Sequence, residues 1–256
     1  YINGSGAFTD GISMNLGSFG ARVIIGGSII GNVAAVDTQG GNTVTTSGSA
    51  DLSGTFGIRL NGADNTVQHG GTITAITDGV IMSTRDTMTV SGSIYGESTG
   101  ILVESQEVEA NNIIDITHSG VVQGGRARVF EDTSSQTVAQ SQTGAIQLQG
   151  DPGAVNTIDN AGSIIANPTS SYTDANMNTI PAPNPIAILD AVPQSTGQTP
   201  FDESLSGDTR VLNTGLIDGD IVLGGGRDVV ENAGTIKGQV RMGDGEDVFA
   251  GYGGLL

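Results

Sequence analysis

Ten glycines in this chain share one local frame: an apolar residue stands four places before each and another two places after. They are Gly6, Gly27, Gly48, Gly71, Gly92, Gly120, Gly162, Gly215, Gly234 and Gly253. Four places back lie Ile2, Val23, Val44, Val67, Met88, Ile116, Ile158, Val211, Val230 and Phe249. Two places on lie Phe8, Ile29, Ala50, Ile73, Ile94, Val122, Ile164, Ile217, Ile236 and Leu255. Neither column holds a polar residue. With 36% of the chain hydrophobic, chance fills one such column at roughly 0.36 to the tenth power. Neighbouring glycine numbers differ by 21, 21, 23, 21, 28, 42, 53, 19 and 19. A recurrence of that length belongs to a solenoid wound one coil at a time.

The plainest coils run Asn42 to Ala50, Asn65 to Ile73 and Asp86 to Ile94. Each is followed by a second apolar stretch, Gly57 to Leu60, Gly79 to Met82 and Gly100 to Val103. A coil therefore offers at least two short strands. Because alternate side chains of a strand face opposite ways, the apolar set is buried only if coils stack and pair in parallel. Forty-one glycines and 4% aromatic residues suit short strands and tight turns, and no segment reads as a helix. At roughly 4.8 Å per coil, about ten coils make a rod about 45 to 50 Å long. Its ends are open edges that need a cap, more chain or another copy. The last coil, Asp247 to Leu255, stops one residue later, which reads as a solenoid interrupted in mid-course.

Two polar columns accompany the apolar ones. Two places before the glycine stand Thr46, His69, His118, Asn160, Asn213 and Asn232; six places before stand Asn42, Asn65, Asp86, Asn156, Asp228 and Asp247. Asn and Asp side chains satisfy turn backbone, so turns in register should stack them into ladders. Both histidines are read as ladder residues. Regularity breaks at 123–143, an insertion or degenerate coil, and at 167–207, which holds six of the seven prolines. Proline removes a ladder donor and excludes central sheet there. Within that second break Ile186 to Leu189 has the character of a coil strand, which splits it into two excursions. Loops on a rigid repeated scaffold are where recognition resides.

The 27 acidic against 9 basic residues give a net charge of -18. Such a rod repels phosphate backbones and anionic lipid headgroups, so nucleic acid is excluded as a partner and direct membrane insertion is not expected of this segment. No cysteine is present and no run of about 18 apolar residues. The chain starts at Tyr1, consistent with a leader already removed. Lack of thiols suits passage through an oxidising periplasm.

The closing coils, Asn213 to Asp228 and Asn232 to Asp247, with Asn160 to Ile164 as an echo, carry the form Asn-x-Gly-x-Ile-x-Gly. They resemble the passenger domains of bacterial autotransporters. That resemblance covers the scaffold from about Ala21 onward and implies a right-handed parallel β-helix, displayed outside the cell and followed in the precursor by an outer-membrane barrel. It carries no catalytic motif. The expected fold is thus all-β, a single right-handed parallel β-helix of about ten coils of 19–23 residues with two looped excursions.

Segments Gly224 to Val230 and Gly243 to Phe249 also fit the core of the haemolysin-type calcium repeat, which would make Asp228, Asp244 and Asp247 ligands. The copies are 19 apart where that family has nine, so the partner half-site is missing. A β-helix that cleaves acidic polysaccharide, or a phage tailspike, is the enzymatic alternative. It would need convergent carboxylates, for instance among Asp37, Asp64 and Asp86, or a set of cations where the chain has one lysine, Lys237. With no tryptophan for sugar stacking and no nucleophile elbow, zinc spacing or phosphate loop, the expectation is a non-enzymatic protein of the bacterial cell surface without cofactor or metal. It would act as an adhesin or fibre subunit, binding a protein or glycan on another cell or assembling with itself as a homo-oligomer.

Overall fold

The computed structural model describes residues 10–14, 20–104, 111–132, 137–149, 153–173, 179–180, 182–190, 192–193, 201–202 and 206–256. Three long sheets carry it, with nine strands in sheet A, nine in sheet B and eight in sheet C. The chain visits them in the order B, C, A. One early coil consists of Thr43–Thr46 in sheet B, Asp51–Gly54 in sheet C and Phe56–Leu60 in sheet A. Each strand pairs in parallel with its counterparts one coil away. The protein is therefore a parallel β-helix, and no helix occurs among the described residues. Nine layers at about 4.8 Å span about 38 Å. The coil expected around Gly6, with Ile2 and Phe8, lies outside the described residues.

Stacking places like on like. In sheet B, Val44, Val67, Met88, Ile114, Ile158, Val211 and Val230 lie one above another, all buried. Sheet A contributes Val36, Ile58, Val80, Ile101, Ile146 and Ile188, and sheet C contributes Leu52, Ile73, Ile94, Val122, Ile164 and Ile217. Each such side chain is stabilised by about 1.5 to 3 kcal/mol relative to exposure.

Each coil has three strands, which agrees with the expected minimum of two; the sheet C strands are short, and Leu216–Asp218 turns only Ile217 fully inward. Two expectations need correction. The turn from sheet B to sheet C has two residues in most coils but four at 47–50 and 117–120. A fixed count from the glycine therefore selects the wrong partners in those coils: Ile114, not Ile116, joins the sheet B column, and Leu52, not Ala50, joins that of sheet C. For the same reason His118 falls in an exposed turn, outside any ladder.

The glycine column has a steric cause. A Cβ on Gly92 would lie 2.1 Å from the Gly71 carbonyl oxygen, and one on Gly234 would lie 2.2 Å from that of Gly215. Only a residue without a side chain lets consecutive turns stack this closely.

The 123–143 region keeps Val121–Gly124 in sheet C and then forms an antiparallel hairpin, Ala127–Asp132 with Thr137–Gln142. Within 167–207 the strand Ile186–Asp190 belongs to sheet A. It is flanked by two short antiparallel pairs, Tyr172–Thr173 with Thr179–Ile180 and Val192–Pro193 with Phe201–Asp202. The first two hairpins leave from the corner between sheets C and A, the third from the corner between A and B. Both corners flank sheet A; every turn from B to C is short.

Candidate binding face

The asymmetry of the excursions singles out the outer face of sheet A. Outward residues there form the register column Asp37, Arg59, Ile81, Leu102, Gln147, Leu189 and Val222. On sheet B the outward side chains are half-buried threonines such as Thr43, Thr66 and Thr87, or exposed ones such as Gln68. On sheet A they are covered: Leu102 is 8% exposed, Gln147 2% and Leu189 none. Ile186, Leu189 and Val222 make a small apolar cluster of their own outside the main core. The outer face of sheet A is apolar at Ile81, Leu102, Leu189 and Val222 and polar at Asp37, Arg59 and Gln147.

The column begins with charge. Arg59 pairs with Asp37, which also accepts from the Asn61 amide, and the guanidinium lies 5.9 Å from the Phe56 ring centre. Beside it a concavity of about 320 Å³ opens between Arg59, Asn61, Ile81, Thr84 and Glu104. At the other corner polar bonds tie the bases of the excursions to the rod and to each other. Thr143 Oγ1 donates to Ser98 O at 2.6 Å and accepts from Arg126 N at 2.7 Å. Gln123 donates to Asn167 at 3.0 Å, Gln142 to the Asn184 carbonyl at 3.2 Å, and Arg126 pairs with Glu97 at 3.1 Å.

The expected polar ladders exist. At the corner from A to B, Asn42 N donates to Asn65 Oδ1, Asn65 N to Asp86 Oδ1, and Asp86 N to Asn112 Oδ1. Higher up, Thr209 N donates to Asp228 Oδ1 and Asp228 N to Asp247 Oδ1. Asn112, eight places before Gly120, is a member that the fixed offset missed; Thr209 stands at the offset but carries a hydroxyl in place of the amide or carboxylate. The second ladder, at the end of sheet B, runs Asn160, Asn213, Asn232 through amide bonds of 2.8 Å. His69 belongs to it: Nε2 faces Ser93 O at 3.1 Å and must donate, so Nδ1 accepts from Thr46 Oγ1 at 2.8 Å. Burial pushes its pKa down, and the ring is neutral.

The carboxylates considered for catalysis are engaged elsewhere. Asp37 is held by Arg59 and Asn61; Asp64 is gripped by both Arg85 nitrogens at 2.9 Å, which lowers its pKa. Asp86 caps Ser83 N and two Asn65 donors, while burial raises it to about 6. The three calcium candidates do not form one cluster: Asp228 and Asp247 are rungs of the backbone ladder, and Asp244 is exposed in the separate pair Gly225–Gly226 with Asp244–Gly245. Among the described residues no three acidic or histidine side chains converge to hold a metal. Lys237 is paired with Asp218 at 3.5 Å. Compared with known proteins, the chain matches no family model, no curated protein and no solved structure.

Proposed function

We propose that this protein is a non-enzymatic, extracellular β-helical adhesin, which binds a protein or glycan of another cell through the hairpins bordering sheet A. The placement of the excursions carries this reading: the three described hairpins all leave the two corners beside one sheet, and polar bonds join the bases of the first two to the rod and to each other. A rigid shaft with clustered projections presents its contacts at low ordering cost. The acidic shaft remains dispersed while the hairpins make contact. The likeness of the closing coils to autotransporter passengers supports display at a bacterial surface.

A second reading is the fibre subunit, in which copies of the chain meet at open sheet edges. Such edges join copies by strand addition. The test compares the intact chain with a variant in which Ala127–Gln142 and Tyr172–Ile180 are replaced by short neighbouring turns. Each is assayed by circular dichroism, by binding to cells and to protein and glycan arrays, and by electron microscopy. Binding lost with strand content retained supports the adhesin. Binding retained refutes it, and filaments from both chains favour assembly through coil edges. Shortening of acidic polysaccharide by the intact chain overturns the non-enzymatic part.

A further inference from the structure

One carboxylate lies inside the rod. Asp190 ends the sheet A strand Ile186–Asp190 and occupies an inward column whose earlier members are Met82, Val103 and Leu148. It has no exposed surface. Its Oδ2 accepts from Thr209 Oγ1 at 2.5 Å, and its Oδ1 has no hydrogen-bond partner among the described residues. Thr209 stands near the start of the sheet B strand Asp208–Asn213, at the far side of the long corner 191–207. In one early coil the same two positions are Thr38 and Asn42, where the Asn42 amide closes the corner by donating to Thr38 Oγ1 and to Gln39 O, both at 2.9 Å; Leu60, Met82, Val103 and Leu148 in the coils between accept no such bond. At the long corner a threonine replaces the asparagine and an aspartate replaces its acceptor. The closing bond recurs at this corner but now depends on a titratable group.

We propose that Asp190 is a proton-operated clamp: as a neutral carboxyl it closes the corner between strands Ile186–Asp190 and Asp208–Asn213, and its ionisation loosens that corner. The charged groups around it are all acidic. Among the described residues Asp228, which receives Thr209 N on one oxygen and has no partner for the other, feels Asp190, Asp208 and Asp247, and no cation offsets them. A second negative charge there meets no counterion among the described residues. Burial raises Asp190 to about 7, against the smaller opposing effect of the Thr209 bond. The folded pKa lies above the ordinary 3.8, so the folded chain holds a proton that the unfolded chain has released; stability at this corner therefore declines as pH rises from about 4 to about 7.

The experiment is hydrogen exchange by mass spectrometry on the full chain between about pH 5.5 and 8, corrected for intrinsic exchange. Protection of 186–190 and 208–213 should fall about tenfold or more relative to the corner between Phe56–Leu60 and Thr66–His69. Asp190→Asn keeps an acceptor without a charge, and Asp190→Leu restores the column's usual residue; both should flatten the profile. A flat wild-type profile, or a dependence unchanged in both variants, overturns the clamp. So does recovery of protection at pH 8 on adding calcium chloride, which would make the site a cation site.

Discussion

Removing one rung of the asparagine ladder tests whether stacked side-chain bonds, and not strand pairing alone, hold the corners closed. Asn65 is 1% exposed; its Oδ1 accepts from Asn42 N at 3.2 Å, and its Nδ2 donates to Gly62 O and Asp86 Oδ1, both at 3.0 Å. Asn65→Ala leaves a buried amide and a part-buried carbonyl unpaired and strips one donor from a carboxylate. A buried orphan costs about 1 to 3 kcal/mol, so the sum is about 3 kcal/mol, with the carbonyl recovering some loss by reaching water. The loss carries a pH signature. Burial raises Asp86 to about 6, and the Asn65 amide is among the bonds that oppose that rise. That bond favours the ionised form, so losing it costs more above pH 6 than near pH 4.5, by about 1 kcal/mol. Urea unfolding followed by circular dichroism at both pH values measures the two numbers, with exposed Gln68→Ala as a control expected within about 0.5 kcal/mol of wild type. A loss under 1 kcal/mol, or one larger at low pH, would show that strand pairing carries the corner unaided.

Three further outcomes follow from named contacts. Ile146→Ala, in the fully buried sheet A column, should cost about 2 to 5 kcal/mol in the same assay, whereas Ile24→Ala, 66% exposed, should cost under about 0.5. Arg85 has φ of 55° and an exposed pair with Asp64, so Arg85→Gly exchanges backbone strain of about 1 kcal/mol for an ion pair worth no more than that. The variant should lie within about 1 kcal/mol of wild type, and a loss above 2 would contradict the balance. His69 should retain the Nε2–H neutral form below the usual 6.5 in an NMR titration; its depressed folded pKa makes stability fall as pH drops through the acid range. Protonation of His69 at or above 6.5 would refute that tautomer.

The sequence contained the class of fold because the solenoid repeats one local requirement. Glycine is needed wherever consecutive turns touch, as at Gly71 and Gly92, and an inward residue such as Val67 or Met88 must be apolar in every coil. Both are visible without knowing any contact. Polar turn residues such as Asn42, Asn65 and Asp86 were legible for the same reason. Membership of the columns was not, because the two extra residues at 47–50 and 117–120 shift the count while hydrogen-bond register ignores it. Asn112 was hidden in this way, and His118 was misplaced.

By itself, then, the amino-acid order determined that this chain must wind into stacked parallel coils, since periodic apolar and glycine positions can be satisfied in no other way. Tertiary structure alone decided that three sheets share the core, that all described hairpins border sheet A, and that Asp190 points inward between Leu148 and its neighbours. The physical reason is that the direction of a side chain and the corner from which a loop departs are set by pairing across coils, between residues 19 to 53 positions apart in this chain, and no local pattern records which of those partners meet.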